Sequence, residues 1–362
     1  MERVLILLNL TMKKINVAIA GIWSFAKALV EGVSFYTKNP NETVGLMNPL
    51  IWNYRVEDIN FVAGFDVDER KVGKKLSEAI SMGANVTKEI TKPIEYEGLV
   101  YRWPTFDGIV DQMKGTFVHE SNLPVADVSK MLKDNHTDIL INLIPSWSNQ
   151  ATYFYAQSAL EAWCSFINLI PTPLATLPEW RKKFEKKWLV LLGDDNKSQL
   201  GATMLNRLIL EFLKIRGIKL TKSDQENRGS NADHFNLLYR AESKEKSKRE
   251  ALSTFLEKDD AKPTVKFFYE GNPSGHKLVK LFIEWEMFGR VPIVINATIE
   301  DEISINGAGT AVDAIRTAQL LVDEGKQKDA PKVCSFLMKS SSKPMSDSKA
   351  YKVFKKTIGQ NL

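Results

Sequence analysis

The sequence predicts an α/β protein with a doubly wound parallel sheet and an inserted α+β domain. Apolar strand patterns alternate with helical patterns through the first half of the chain, as in parallel sheets with right-handed crossovers. From about Lys219 to Glu300 the pattern changes to alternating apolar and polar residues, which is typical of antiparallel strands with one wet face. A helical pattern of the first type returns over 308–324.

The elements follow in order. Apolar runs predict parallel strands at 15–20, 59–66, 138–144, 165–170 and 189–192, and apolar spacings of three and four predict helices at 26–36, 70–79, 150–163 and 204–216. Alternation predicts further strands at 282–288 and 293–300. Since Lys13 and Lys14 lead directly into the first strand, we expect the chain to start at Met12. The predicted boundaries are 12–200, 201–303 for the insertion, and 304–362 for the return to the first domain.

Composition narrows the class of protein. The chain has 362 residues, 44% hydrophobic and 26% charged, which suits a globular protein with two domains. Its net charge of +5 is spread along the chain, so nucleic-acid binding is not indicated. The apolar run 4–10 is too short for a membrane span, and the two cysteines fit core positions in a reducing compartment. A cytoplasmic location with no membrane partner is expected.

Two segments at strand ends are predicted to bind ligands. The first, 21–26, reads Gly-Ile-Trp-Ser-Phe-Ala, where dinucleotide-binding folds carry Gly-x-Gly-x-x-Gly or Ala; its middle glycine position is Trp23. Asp66 ends the second strand in the place of a ribose-binding carboxylate. The second segment, 193–199, puts Asp194, Asp195 and Lys197 after a buried strand. A solvated turn with a helix cap is the alternative interpretation of that segment.

Taken together, these segments resemble the myo-inositol-1-phosphate synthase family from about Lys14 to Lys343. The resemblance is carried by the sequences at 44–49, 61–68, 70–74, 104–108, 142–145, 166–171, 193–199, 227–233 and 243–248, which occur in the order of the family. It implies a Rossmann-like NAD-binding domain and an inserted domain for catalysis and homotetramer assembly. It also implies conversion of glucose 6-phosphate to 1D-myo-inositol 3-phosphate through oxidation by NAD, enolisation, aldol closure and return of the hydride.

The resemblance also assigns residues. It implies catalytic roles for Lys244, Lys248, Lys277, Lys339 and Asp195, and substrate binding by Lys197, Ser198, Asn231 and Asp233. It implies cofactor binding by Gly21, Ile22, Trp23, Ser24, Ala26, Asp66, Pro145, Ser146 and Asp194, and no metal site. The spacing itself agrees for Lys244 and Lys248, which share one helical face. Several ammonium groups in one cleft are expected to lower one another's pKa.

Two departures from the family pattern fall near the expected site. The family usually has an aspartate where this chain has Gly275, and another where it has Ile303; Asp301 would replace the latter only by a shift of the chain. These departures keep an alternative open, a non-catalytic or diverged sugar-phosphate-binding relative with its NAD pocket filled by tryptophans.

Tryptophan is distributed unusually. Seven of the eight tryptophans fall where the family typically carries glycine: positions 23, 52, 103, 147, 163, 188 and 285. Such turns need a positive φ or the close approach of a ligand, and an indole there is expected to be strained. We therefore hypothesise that the organism reads UGA as glycine, which would complete the fingerprint at position 23. The alternative is that the tryptophans are real and fill the NAD pocket.

Overall fold

The computed structural model describes residues 14–217, 219–253, 256 and 260–360. The expected start at Met12 lies outside these residues. Six parallel strands form the larger sheet: β1 (Ile15–Ala20), β2 (Ile59–Asp66), β3 (Leu99–Arg102), β4 (Ile139–Asn142), β5 (Ser165–Asn168) and β6 (Leu191–Leu192). Their order is β3-β2-β1-β4-β5-β6, so the direction of strand addition reverses between β1 and β4.

Helices cover this sheet. They are α1 (Ser24–Lys38), α2 (Leu76–Ala79), α3 (Val128–Asp134), α4 (Asn149–Ala162), α5 (Pro178–Lys186), α8 (Ile303–Asp323), α9 (Ala330–Leu337) and α10 (Asp347–Thr357), with α6 (Ala202–Ile215) and α7 (Ala232–Ser253) in the connecting part of the chain. Two apolar clusters, one on each face of the sheet, bury strand residues of opposite parity such as Val17 and Ala18. Because strands buried on both faces are apolar throughout, they give the continuous hydrophobic runs seen in the sequence.

A second sheet is built from the later part of the chain. It comprises β7 (Lys219–Gly229), β8 (Thr264–Tyr269), β9 (His276–Glu286) and β10 (Pro292–Glu302) in the order β10-β9-β7-β8. The pairs β10·β9 and β7·β9 are antiparallel, whereas β7·β8 is parallel. Alternate residues of β9 pack against α6, and Trp285 is fully buried among them. The wet and dry faces expected for antiparallel strands are therefore present.

The predicted fold class is confirmed, while one predicted element is wrong in most of its length. Residues 70–73 form turns, Lys74 lies in a bend, Lys75 forms an isolated β-bridge with Leu99, and only Leu76–Ala79 is helical. The chain turns at Gly73, whose φ is +82°, and backbone hydrogen bonds then link Gly73 and Leu76 to the β3 region instead of to a helix. Within the described residues, no helix is long and apolar enough to cross a membrane.

Candidate active site

A cleft opens at the carboxyl ends of the parallel strands, above the switch between β1 and β4. Segments that follow β1, β4, β5 and β6 line one side, and residues from α7, β9 and β10 line the other. Open α/β sheets bind their ligands at such switch points. Twelve of the predicted site residues line this cleft: Trp23, Ser24, Pro145, Ser146, Asp195, Lys197, Ser198, Asn231, Asp233, Lys248, Lys277 and Lys339.

The first strand ends in a tight turn that Gly21 makes possible. Its φ is +90°, and a Cβ here would lie 2.9 Å from the backbone nitrogen of Ile144. The turn brings β1 close to the β4 loop and places the N-terminus of α1 at the cleft through Ser24. A helix N-terminus offers unpaired N–H groups to an anion, so this end suits a phosphate group. Ala26, on the buried side of α1, and Ile22 are fully buried behind the cleft.

Trp23 stands between Gly21 and α1 and contributes its indole to the cleft. The ammonium group of Lys71 lies 4.5 Å from the centroid of the indole ring and donates a hydrogen bond to the carbonyl of Ile22. Lys71 is completely buried. The buried Lys71 therefore holds the indole through a cation–π contact, at the position where the fingerprint requires a glycine.

Two predicted cofactor-binding carboxylates do not line the cleft and instead accept hydrogen bonds from backbone nitrogens. Asp66 accepts hydrogen bonds from the backbone nitrogens of Ile22, Val67 and Asp68. Asp194 accepts from Asn168 and from the backbone nitrogens that follow β5, at 174–176. Burial raises the pKa of Asp194, and these hydrogen bonds act against that rise. Both carboxylates fix loops at the cleft edge, and their predicted contact with a cofactor stays a prediction.

Asp195 joins the cleft to the C-terminal part of the chain. Its carboxylate is 2.7 Å from Nζ of Lys339, which also donates to the carbonyl of Asn196 at 2.7 Å. Backbone hydrogen bonds run between the same segments, from Lys339 to Asp195 and in both directions between Asp194 and Ser340. The structure thus brings together two predicted catalytic residues that are 144 positions apart.

Lys197 lies at the cleft, but its ammonium group is bound on the protein side. Nζ donates to the carbonyl of Ser335 at 2.9 Å and to Asp347 at 3.0 Å, and Arg207 binds the same carboxylate. Burial lowers the pKa of Lys197 to about 8, against the opposing effect of Asp347. The surroundings tie the loop to α10, and a substrate contact by this lysine stays a prediction.

Further lysines approach from the second sheet. Lys248 on α7 is buried, donates to Oδ1 of Asn227 at 2.7 Å and lies 5.3 Å from the ring centroid of Phe267. Lys277, near the start of β9, is also buried at the cleft. The side chain of Lys244 lies outside the described part of the structure.

Polar residues at the start of α7 complete this wall. Ser146 Oγ donates to Asp233 at 3.1 Å, and Asn236 donates to the carbonyl of Ser146, so the β4 loop is fastened to α7. Asn231 accepts a hydrogen bond from the backbone nitrogen of His234 as the helix begins. Helix capping and loop attachment thus orient these side chains toward the cleft.

Sequence reasoning gave too little weight to Asp301. This residue pairs with Lys277 in the register of β9 and β10, and both line the cleft without any shift of the chain. Oδ2 of Asp301 accepts from Asn306 at 2.6 Å, while Oδ1 is buried and accepts no hydrogen bond from the described residues. Alternation along β10 was the available signal, because it puts Asp301 on the face opposite to that of Glu300.

At Gly275, the first of the two departures from the family pattern, a neighbouring side chain fills the space beside the backbone. A Cβ at Gly275 would overlap a carboxylate oxygen of Glu302, which also accepts hydrogen bonds of 3.3 Å from Thr87 and Lys88. A carboxylate from a neighbouring strand therefore occupies the space that a side chain at position 275 would need. Ile303 lines the cleft at the start of α8.

The sheet order, the glycine turn before α1 and the cleft at the switch point define the class, an α/β protein of the Rossmann-like type. Within that class, the sequence profile of the myo-inositol-1-phosphate synthase family matches residues 201–302. The inositol-3-phosphate synthase of Mycolicibacterium smegmatis is 37% identical over 345 residues, which cover 92% of this chain and 95% of the relative. The chain therefore belongs to the inositol-3-phosphate synthase family of enzymes.

A second relative supports the same family, and a solved structure supports the same fold. The inositol-3-phosphate synthase of Corynebacterium glutamicum is 37% identical over 346 residues, covering 92% of this chain and 95% of the relative. The crystal structure of a myo-inositol-1-phosphate synthase-related protein from Thermotoga maritima superposes with a TM-score of 0.78 at 20% identity, covering 96% of this chain and 99% of that chain. This last likeness concerns the fold.

Proposed function

We propose that this protein converts D-glucose 6-phosphate to 1D-myo-inositol 3-phosphate with NAD as cofactor. The observation that carries the proposal is the convergence of Lys248, Lys277 and Lys339 on one cleft at the switch point of a Rossmann-like sheet. Substrate and product are isomers, so the reaction has no net redox change. The inositol-3-phosphate synthase of Mycolicibacterium smegmatis, which is 37% identical over 92% of this chain, supports the same activity.

The three lysines suit the anions of this reaction. A sugar phosphate brings a charged phosphate, and ring closure through an enolate develops a second negative charge on oxygen. Ammonium groups held in a partly closed cleft stabilise such charge without reorganisation. Lys339 donates a hydrogen bond to Asp195, and Lys248 donates one to Asn227, so the position of each ammonium group is fixed. Asp301, opposite Lys277, offers a carboxylate oxygen to a sugar hydroxyl or to the lysine.

The cofactor requires a separate test of fit. Gly21, the N-terminus of α1 and the switch point suit a dinucleotide pyrophosphate. The indole of Trp23 does not fit, because it lines the cleft at the fingerprint position where glycine allows a pyrophosphate to approach the backbone. When bound, NAD supplies reversible hydride transfer; the residues of the chain supply binding, orientation and charge. The alternative function, sugar-phosphate binding without catalysis, is favoured by Trp23 alone.

The test is an assay of the protein purified from its own organism with glucose 6-phosphate and NAD. We expect an inositol monophosphate, detected by ³¹P NMR and chromatography, with no net accumulation of NADH. Binding of glucose 6-phosphate without product would contradict the proposed function and support the non-catalytic alternative. Omission of NAD is the control for cofactor dependence.

A variant then tests the lysines. In the recombinant protein, Lys277→Ala should lower kcat by roughly 100-fold or more, because the charge that stabilises the enolate is lost. Lys280→Ala is the matched control, since Lys280 lies on the same strand but on its exposed face. Equal kcat values for Lys277→Ala and the unaltered chain would remove Lys277 from the mechanism.

We further propose that the protein assembles as a homo-oligomer, a tetramer according to the family resemblance. Exposed apolar side chains on α6 support self-association: Leu208, Phe212 and Ile215 form one stripe and are 65%, 61% and 78% exposed. Exposed apolar stripes of this kind are typical of interaction surfaces.

A further inference from the structure

Tryptophan is concentrated where the backbone is left-handed. Among the described residues, eight other than glycine have a positive φ, and four of these are tryptophan: Trp52, Trp147, Trp163 and Trp188, with φ of 52°, 67°, 58° and 58°. The whole chain contains only eight tryptophans in 362 residues. Bulky side chains are rare in this region of the backbone, where Asn, Asp and Gly are the usual residues.

Two of the four tryptophans occupy the glycine position of a helix C-terminus. After α5, the backbone nitrogen of Trp188 donates to the carbonyl of Glu185, and that of Leu189 donates to Phe184. After α4, Trp163 donates in the same way to Leu160, and Cys164 to Ala159. This pair of hydrogen bonds is the Schellman motif, in which the residue with positive φ is usually glycine.

The other two occupy tight loops. Trp52 is the first of two residues between Ile51 and Tyr54, whose backbones exchange hydrogen bonds in both directions. A positive φ at the first position of such a loop is the place for glycine in hairpin turns. Trp147 lies in the β4 loop between Ser146, which lines the cleft, and Ser148, which precedes α4.

Packing of the indoles gives little compensation. Trp52, Trp163 and Trp188 are 44%, 63% and 69% exposed. Trp180 lies within α5, stacks on Tyr153 with an angle of 12° between the rings, and has Nζ of Lys183 4.1 Å from its ring centroid. Trp163 has a similar cation contact, with Nζ of Lys187 4.6 Å from its ring centroid. Trp103 and Trp285, which the sequence hypothesis also includes, are buried at 3% and 1% exposure and have no positive φ, so the backbone evidence for glycine concerns Trp52, Trp147, Trp163 and Trp188.

We infer that the organism reads the UGA codon as glycine, so that the native chain has glycine at positions 52, 147, 163 and 188, and also at position 23. One reassigned codon explains why tryptophan accounts for four of the eight described residues other than glycine that have a positive φ. The left-handed backbone at the four tryptophans is independent of the proposed function. Its consequence at position 23 rests on that function, because loss of the indole opens the turn before α1 to a pyrophosphate.

The codons and the native masses test the inference directly. In the gene, we expect UGA at the four positions with positive φ and at position 23, and UGG at Trp180. Peptides of the protein isolated from its own organism should have masses with glycine at the UGA positions. UGG at all these positions, or indole-containing peptides there, would overturn the inference. Neither readout depends on enzyme activity, so failure of the proposed function is distinguished from failure of this one.

Stability gives an independent check. The variant W52G/W147G/W163G/W188G should have a melting temperature on the order of 5 °C above that of the chain with tryptophan. The reason is that backbone strain at four positions with positive φ is relieved. W180G is the matched control and should melt lower, since it loses a stacked ring and places glycine in a helix. A lower melting temperature for the fourfold variant would count against glycine as the native residue. Calorimetry or circular dichroism supplies the measurement.

Discussion

Asp195 illustrates how a single residue combines an uncommon backbone conformation with charge. Its φ of 61° is left-handed, and its carboxylate pairs with Lys339 at 2.7 Å. Sparsely populated backbone conformations are held in place by surrounding interactions, and they concentrate at functional sites. Here hydrogen bonds to Ile170 and Lys339 hold the peptide on both sides. Asp195 is thus a cleft residue with a positive φ that also positions a cleft cation.

Asp301 pairs with the predicted catalytic residue Lys277 in the register of β9 and β10, so its charge is expected to matter for the reaction. Asp301→Asn should lower kcat by roughly 100-fold or more, because the variant keeps its shape but loses the charge facing Lys277. The matched control is Glu300→Gln, one residue away on the opposite face of β10, which should change kcat by less than about twofold. Equal kcat values for the two variants would show that Asp301 has no special part in the reaction.

Lys197 carries a pH-dependent prediction. Its pKa is about 8 in the folded protein, against an ordinary value of 10.5, because burial disfavours its charge. Between pH 8 and 10.5 the unfolded chain binds more protons at this residue, so its contribution to the free energy of unfolding rises with pH. Below pH 8 the cost of the buried charge is present in full.

Lys197→Met should remove this rise. Relative to the variant, the unaltered chain should gain roughly 1 to 3 kcal/mol of unfolding free energy from pH 8 to pH 10, measured by urea denaturation. Lys182→Met, on an exposed lysine, is the control and should leave the pH dependence unchanged. Parallel pH dependence in the unaltered chain and Lys197→Met would contradict the lowered pKa.

At the scale of elements, the turn between β1 and α1 depends on Gly21. Gly21→Ala should cost about 3 kcal/mol or more, because the new Cβ meets the backbone of Leu143 and Ile144 at 2.9 Å and φ is +90°. Gly325→Ala separates the two causes: φ is +65° there but the space is open, so only about 1 to 2 kcal/mol is expected. Similar losses at both glycines in chemical denaturation would mean that the close approach to β4 does not matter.

The sequence predicted elements best where local pattern and tertiary burial agree. β1 and β2 have the predicted bounds, because a strand buried on both faces is apolar throughout. The helix predicted from Arg70 is a series of turns instead, because hydrogen bonds to the β3 region, distant in sequence, override local periodicity. β3, only four residues long and partly exposed, gave too weak a pattern to be predicted.

Motifs predicted the site better than they predicted individual contacts. Lys248, Lys277, Lys339 and Asp195 were found by resemblance and line one cleft, whereas the side chain of Lys244 lies outside the described part of the structure. The engagement of Asp66 and Asp194 with backbone nitrogens was invisible in the sequence, since it depends on where neighbouring loops turn. Asp301 was undervalued because its pairing with Lys277 requires the register of two strands.

At the scale of the whole molecule, the C-terminal part of the chain completes the cleft. Lys339 reaches Asp195 from the segment after α9, and Asp347 at the start of α10 binds both Lys197 and Arg207. Residues from the beginning, middle and end of the sequence thus meet at one site. Such a site forms only when the parallel sheet and its returning helices are assembled, which couples the cleft geometry to the global fold.

The last prediction concerns assembly. β10 is an edge strand of 11 residues whose Ile293 and Val294 are 37% and 45% exposed, and a long apolar edge is a template for pairing with another chain. Phe212 on α6 adds a second exposed apolar surface.

Phe212→Asp and Val294→Asp should therefore each reduce the mass of the assembly measured by light scattering, because a charge would be buried at the contact. Val44→Asp, at an 81% exposed loop residue, is the control and should leave the mass unchanged. A monomeric mass for the unaltered chain across micromolar concentrations would contradict the proposed assembly. A tetramer that both variants leave intact would instead place its interfaces elsewhere on the surface.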